Sequence, residues 1–138
     1  MQKKILLLCI LGALIAISGI MIFTHQPETR FDGERISNPG QLALRFDRMN
    51  MTDSETMELQ EGDAMHVSWQ IESGHVDIVI GMEGKDAVYR ADDRPAGDKA
   101  DFDVEIPKTG SYTITVSARE AKGQIEFMKT DNQQHKGE

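Results

Sequence analysis

Ala64-Met65-His66-Val67-Ser68-Trp69-Gln70-Ile71, then Ser73-Gly74, then Val76-Asp77-Ile78-Val79-Ile80-Gly81-Met82, is the stretch that decides the fold. Met65, Val67, Trp69 and Ile71 share one parity; Ala64, His66, Ser68 and Gln70 share the other. Val76, Ile78, Ile80 and Met82 repeat the pattern around Asp77, Val79 and Gly81. A period of two sends successive side chains to opposite faces of a strand, whereas a helix repeats its apolar residues every three or four positions. Ser73-Gly74 reads as a tight connection between two paired strands, the glycine supplying a positive φ. Trp69 is the only tryptophan. Its phase with Met65, Val67 and Ile71 places it in the core rather than on a ligand-stacking face.

The same period extends in both directions. Leu42, Leu44 and Phe46 alternate with Gln41, Ala43 and Arg45, and Met57 and Leu59 form a shorter pair. Phe102, Val104 and Ile106 follow, then Tyr112, Ile114, Val116 and Ala118, then Ile125 and Phe127. Turn residues fall between these runs at Glu61-Gly62-Asp63, Pro107-Lys108-Thr109-Gly110 and Lys122-Gly123. The fold class is therefore all-β: seven or eight short strands in a two-sheet antiparallel β-sandwich, jelly-roll-like. Its expected core holds Phe46, Val67, Trp69, Ile78, Ile80, Phe102, Tyr112, Ile114, Val116 and Phe127. Met49, Met51 and Met57 fill one end of it, with an adaptable contact surface as the alternative.

Upstream lies an uncharged apolar run, Ile5 to Phe23, preceded by Lys3 and Lys4. At about 1.5 Å of rise per residue it matches one hydrocarbon core. Ile5, Leu11, Ile15, Ile20 and Phe23 are its membrane-facing candidates. The two lysines keep the N-terminus in the cytosol, so the rest is exported. Ala16-Ile17-Ser18 also offers a signal-peptidase site, with secretion as the result. Ile20-Met21-Ile22-Phe23 continue past it, as a spanning helix needs and a cleaved leader does not, and this favours the anchor. Cys9, the only cysteine, follows Leu6-Leu7-Leu8 and lacks the small residues of a lipid-modification site. Gly12 and Ala16 form a small-xxx-small pair of the kind that brings helices together in lipid.

These readings divide the chain into an anchor (1–24), a polar stalk (25–40), a sandwich domain (41–129) and a polar tail (130–138). Pro27, Gly33, Pro39 and Gly40 punctuate the stalk. The whole chain carries 15 basic and 23 acidic residues, net −8. Setting aside Lys3 and Lys4 leaves the exported part with 13 basic against 23 acidic residues, net −10. That balance argues against nucleic acid and against anionic headgroups as electrostatic partners. The exported part has no cysteine, so its stability rests on an apolar core and not on disulfides. Asn50-Met51-Thr52 fits the glycosylation sequon.

Four segments together carry a family resemblance. They are Leu59-Gln60-Glu61-Gly62-Asp63, the run Ser73 to Ile80, Ile106-Pro107-Lys108-Thr109-Gly110-Ser111-Tyr112-Thr113-Ile114-Thr115-Val116, and Ala121-Lys122-Gly123-Gln124-Ile125-Glu126-Phe127. Their order, over residues 59–127, resembles small extracytoplasmic jelly-roll domains of the Golgi-dynamics (GOLD) and bacterial pre-peptidase C-terminal types. It is also similar to single-pass surface proteins of Gram-positive bacteria. The resemblance implies binding or adapting rather than catalysis. The cysteines and coiled coil of GOLD-containing receptors are absent, which argues against a cargo-receptor role.

Few constellations carry chemistry. Asp92, Asp93, Asp98 and Asp101, with Asp103 beyond, form an acidic stretch that is the weak candidate for a calcium loop. Its spacing is not that of an EF-hand, and Arg90, Arg94 and Lys99 offset part of its charge. His66 and His75 flank Ser73-Gly74 and would approach each other across a hairpin, with Glu72 or Asp77 as further zinc ligands. No nucleophile elbow, phosphate loop or dinucleotide fingerprint occurs. The reading is a non-enzymatic, cofactor-free binding or accessory module of the cell envelope. Its partners are the lipid bilayer and an envelope protein or glycan, not nucleic acid. The alternative is a small structural or signalling-associated subunit acting partly through its transmembrane helix. Truncating Trp69 to Ala should cost about 3–5 kcal/mol, measured by denaturant unfolding.

Overall fold

The computed structural model describes residues 28–130. Residues 1–24, with Ile5, Leu11, Ile15, Ile20 and Phe23, lie outside the described residues, as does the tail beyond Thr130. Among the described residues no helix is long and apolar enough to cross a membrane.

Six strands make up the fold: β1 Arg30–Asn38, β2 Gln41–Leu59, β3 Ala64–Gly81, β4 Tyr89–Arg94, β5 Lys99–Glu105 and β6 Gly110–Thr130. All pair antiparallel in one hydrogen-bonded sheet, ordered β1-β2-β6-β3-β4, with β5 also on β3. The expected seven or eight short strands are thus replaced by three short strands and three of 18 to 21 residues. The Trp69 and Ile78 runs are one strand, β3, and the Tyr112 and Phe127 runs are one strand, β6. Likewise, Leu42 and Met57 share β2.

The physical reason is that Ser73-Gly74 and Lys122-Gly123 bend the chain without reversing it. The β3–β6 ladder slips between Ile71 and Ser73 and again between Ser73 and His75, then resumes with the same partner. The β2–β6 ladder slips at the same level, between Phe46 and Met51. Bulges of this kind kink strands and raise their twist without ending the pairing. Because the slips are aligned across three neighbours, the sheet folds over as a unit.

Two halves result. A five-strand half contains β1, the first part of β2, the last part of β6, the first part of β3, and β5. A four-strand half contains the remainder of β2, β6 and β3, with β4. Leu42, Phe46, Val67, Trp69 and Phe127 of the first half bury in one cluster with Ile78, Ile80, Tyr112, Ile114 and Val116 of the second. Phe102, expected in the core, is half-buried and packs against its margin, because β5 is an edge strand. Its ring lies edge-on to Trp69, with centroids 5.5 Å apart. Met49 and Met57 are buried in the core, and Met51 packs against the core from its margin.

The polar segment expected as a stalk contains β1. Of Arg30–Asn38 only Phe31 and Ile36 are bulky apolar residues, too few for an alternation to show. The strand forms because β2 offers it a free edge. Phe31 lies against Phe46, with centroids 6.5 Å apart. Arg35 reaches across the open side of the fold to Asp53 (2.8 Å) and Glu55 (2.7 Å) on the four-strand half. Hydrogen bonding from Arg35 holds the Glu55 carboxyl below the usual carboxylate range.

The fold-over requires backbones in close contact. Gly74 has φ +76°, and a Cβ there would overlap the carbonyl oxygens of Arg119 and Glu120. Gly123 faces Gln70 in the same way, where a Cβ would overlap the Gln70 carbonyl oxygen. Gly97 (φ +89°) has open space around its Cβ position. Replacing Gly97 with Ala should therefore carry only the left-handed backbone cost, about 1–2 kcal/mol. Gly74→Ala adds the overlap and should bring the loss to about 3–4 kcal/mol or above. Urea unfolding followed by Trp69 fluorescence measures both.

Candidate functional site

The acidic stretch does not assemble as a loop. Asp92 and Asp93 belong to β4, whereas Asp101 and Asp103 lie on β5. These strands flank different parts of β3. Each aspartate has taken a protein partner. Asp98 accepts the Trp69 indole N–H at 2.8 Å. Asp93 accepts from Arg119 (2.8 Å) and stands 3.0 Å from His75 Nδ1. Asp101 and Asp103 lie 2.9 and 2.7 Å from the two ring nitrogens of His66. Asp92 is 3.6 Å from Arg90. Among the described residues, no group of three or more His, Cys, Asp or Glu side chains could hold a metal ion. The two histidines do not meet either. They sit on one continuous strand, on opposite sides of its bend, because no hairpin forms there.

Asn50 of the sequon has a structural role. Its amide donates to the Glu28 carbonyl (3.0 Å) and accepts the Glu120 N–H (3.2 Å). It thereby ties the strained middle of β6, where Glu120 has φ +46°, to the bulge of β2. Nearby, Asp77 accepts from Arg119 at 2.6 Å and from the Asp93 N–H at 2.5 Å, which holds its carboxyl below the usual range.

The outer face of the five-strand half presents a groove of about 810 Å³. Its rows follow from strand register. One row crosses Glu34, Arg45, Gln124, Gln70 and Lys99. The next, two residues along each strand, crosses Ile36, Ala43, Glu126, Ser68 and Asp101. Ala43 and Ser68 are short, so they make the floor, and β1 and β5 stand as its walls. Beyond the second row lie Met128, His66 and Asp103. Ile36 (53% exposed) and Met128 (37%) are the exposed large hydrophobics of the described residues, and both face this side.

Of the outward groove residues only Asp101 stood out in the sequence, and as a calcium-loop candidate; the others carried no sign of a site. They occupy the polar positions of five strands, and alternation alone marks such positions as solvated. Only the strand order β1-β2-β6-β3, with β5 beside β3, brings Arg45, Gln124, Gln70 and Lys99 into one row. Knowledge of that order was the missing signal.

No family model and no curated protein matches this chain. The resemblance to GOLD and pre-peptidase C-terminal domains therefore rests on the quoted residues alone. Solved structures with a similar strand arrangement include TmCBM61 in complex with beta-1,4-galactotriose. It is 17% identical over 75% of this chain and 69% of that one, with a TM-score of 0.39. The Schizosaccharomyces pombe Cnp3 cupin domain is 18% identical over 80% and 71%, with a TM-score of 0.35. The Drosophila melanogaster CENP-C cupin domain is 8% identical over 71% and 70%, with a TM-score of 0.32. The common ground is an antiparallel all-β fold. At these scores no ligand or activity transfers.

His66 supplies a titratable marker on this face. Its hydrogen bond to Asp103, aided by the charges of Asp101 and Glu126, raises its pKa above the ordinary histidine value. A raised folded-state pKa stabilises the fold when the imidazole is charged. That contribution is complete below the unfolded value of about 6.5 and is lost as pH rises through the folded value. Proton NMR titration of the His66 ring should give a midpoint above that of a free histidine. Asp103→Asn should lower the midpoint and reduce the stability difference between mildly acid and mildly alkaline solution.

Proposed function

We propose that this chain is an extracytoplasmic binding module of the cell envelope. Residues 1–24 tether it to the membrane, with the N-terminus in the cytosol and the β domain outside. The tether rests on the Ile5 to Phe23 run and its flanking lysines. The binding reading rests on one observation above all: the groove and both exposed large hydrophobics share one face of the folded sheet. The ligand lies across the five strands, above Ala43 and Ser68. An accessory, non-catalytic role accords with the aspartates and histidines being engaged with one another and with arginines around the fold.

Filling the groove floor provides the test. Ser68→Trp and Ala43→Trp place a bulky ring on the floor and leave the core untouched. Ser54→Trp puts the same ring on the outer face of the four-strand half. Co-sedimentation with purified envelope material of the source organism should fall about tenfold for the floor variants, a change of about 1.4 kcal/mol, and stay unchanged for Ser54→Trp. Thermal melting confirms that each variant is folded. Equal retention by all variants would remove the groove from the binding reading.

A further inference from the structure

We infer that the bend end of the β domain is held at the lipid headgroups of the membrane that anchors it, so that the groove opens sideways in the layer just above the bilayer. The inference rests on the tether reading above and specifies which surface of the domain meets the membrane.

The fold begins early in the chain. Arg30 already pairs with Asn50, and the Asn50 amide holds the Glu28 carbonyl at 3.0 Å. Between Phe23, the last residue of the apolar run, and Glu28 stand only Thr24, His25, Gln26 and Pro27. Five residue steps cover at most roughly 17 Å when fully extended. The headgroup layer on one side of a bilayer takes up about 5–7 Å of that distance.

Glu28 is also held at one particular end of the domain. Asn50 lies in the bulged part of β2 and accepts the Glu120 N–H of β6 at 3.2 Å. This is the level at which β2, β6 and β3 all bend. From it both halves run the same way, and turns at 60–63 and 106–109 join their far ends. The β2–β6 ladder runs from Met51–Ala118 at the bend to Leu59–Gly110 at the far end. Eight residues of strand measure about 27 Å. An inverted domain, with its turns on the bilayer and its bend above, would lift Glu28 by about that much, beyond the reach of the link. Upright and tilted placements remain, and the bend is the near end in both.

The bend is built to rest on a headgroup layer and not to enter it. The exposed large hydrophobics of the described residues, Ile36 and Met128, both lie elsewhere. Cations at the bend hold carboxylates: Arg48 with Glu120 (2.9 Å), Arg119 with Asp77 and Asp93 (2.6 and 2.8 Å), and Lys122 with Glu72 (3.7 Å). The chain is acidic overall, so the short link, and not attraction to lipid, brings the domain down. Glu34 and Ile36 lie four and six residues along β1 from Arg30. In an upright domain the two groove rows therefore stand about 14 and 20 Å above the bend. An occupant meets them within roughly 40 Å of the hydrocarbon core.

The full chain, with Cys9→Ala, would carry a donor dye at Ser73→Cys in the bend or at Lys108→Cys in a far turn. Both positions are exposed, and thermal melting confirms that each labelled chain is folded. The chain would be reconstituted in phosphatidylcholine vesicles with an acceptor dye on a share of the headgroups. Energy transfer should be severalfold greater from Ser73→Cys than from Lys108→Cys. A Gly/Ser insertion of about 20 residues between Thr24 and His25, with a root-mean-square span of about 25 Å, should cut the transfer from Ser73→Cys severalfold and erase the difference.

Equal transfer from the two positions without the insertion, or greater transfer from Lys108→Cys, overturns the inference. If the chain still floats with the vesicles in a density gradient, the tether reading stands. An insertion that leaves transfer from Ser73→Cys unchanged also overturns the inference, because the link is then not what holds the domain. A chain that does not float with the vesicles overturns both.

Discussion

Three neighbouring strands bend at one level and remain paired through the bend, and every other feature of this fold depends on that. Backbone carbonyls of β6 lie against Gly74 of β3, and the Gln70 carbonyl of β3 lies against Gly123 of β6. A side chain at either place would push the strands apart. With the contact made, one sheet supplies both walls of a single core, and Trp69 and Tyr112 bury in the same cluster though they belong to different halves. No disulfide assists among the described residues, which contain no cysteine. The closure is apolar burial, helped at the open side by Arg35 between Asp53 and Glu55. These are surface ion pairs, so their contribution is small beside that of the core.

The bend also creates the outer face. The five-strand half is wide because β3 carries β5 on its free edge before the bend and β4 after it. That exchange of partners separates Asp92 and Asp93 from Asp101 and Asp103. It also lines up Arg45, Gln124, Gln70 and Lys99, residues scattered over more than half the sequence. The site is therefore a product of topology. Its side chains are the outward half of the same alternation whose inward half makes the core.

Part of this was legible in the residues. The two-residue period of Met65 to Ile71 and of Val76 to Ile80 gives strand character and core membership, because burial on one face demands it. Ser73-Gly74 reads as a reversal and is a bulge, since a glycine with positive φ serves both equally well. The local composition cannot distinguish them; only the partner strand does, by resuming its ladder on the far side. Strand β1 was hidden for another reason. An edge strand exposed along most of its length has no need of an apolar parity, and Gly33 and Pro39-Gly40 looked like interruptions when the latter are the turn into β2. The groove could not be read at all, because polar residues of five strands carry no mark of which strands lie side by side.

Cross-strand amide and Hα nuclear Overhauser effects of β3 test the continuous bent strand most directly. Contacts in the registers Trp69 with Ile125 and Ile78 with Val116, both to β6, are the expected result. A hairpin turning at Ser73-Gly74 would instead set the backbone of Ile71 against that of Val76. Those cross-peaks, with loss of either β6 register, would contradict the folded-over sheet and the groove built on it.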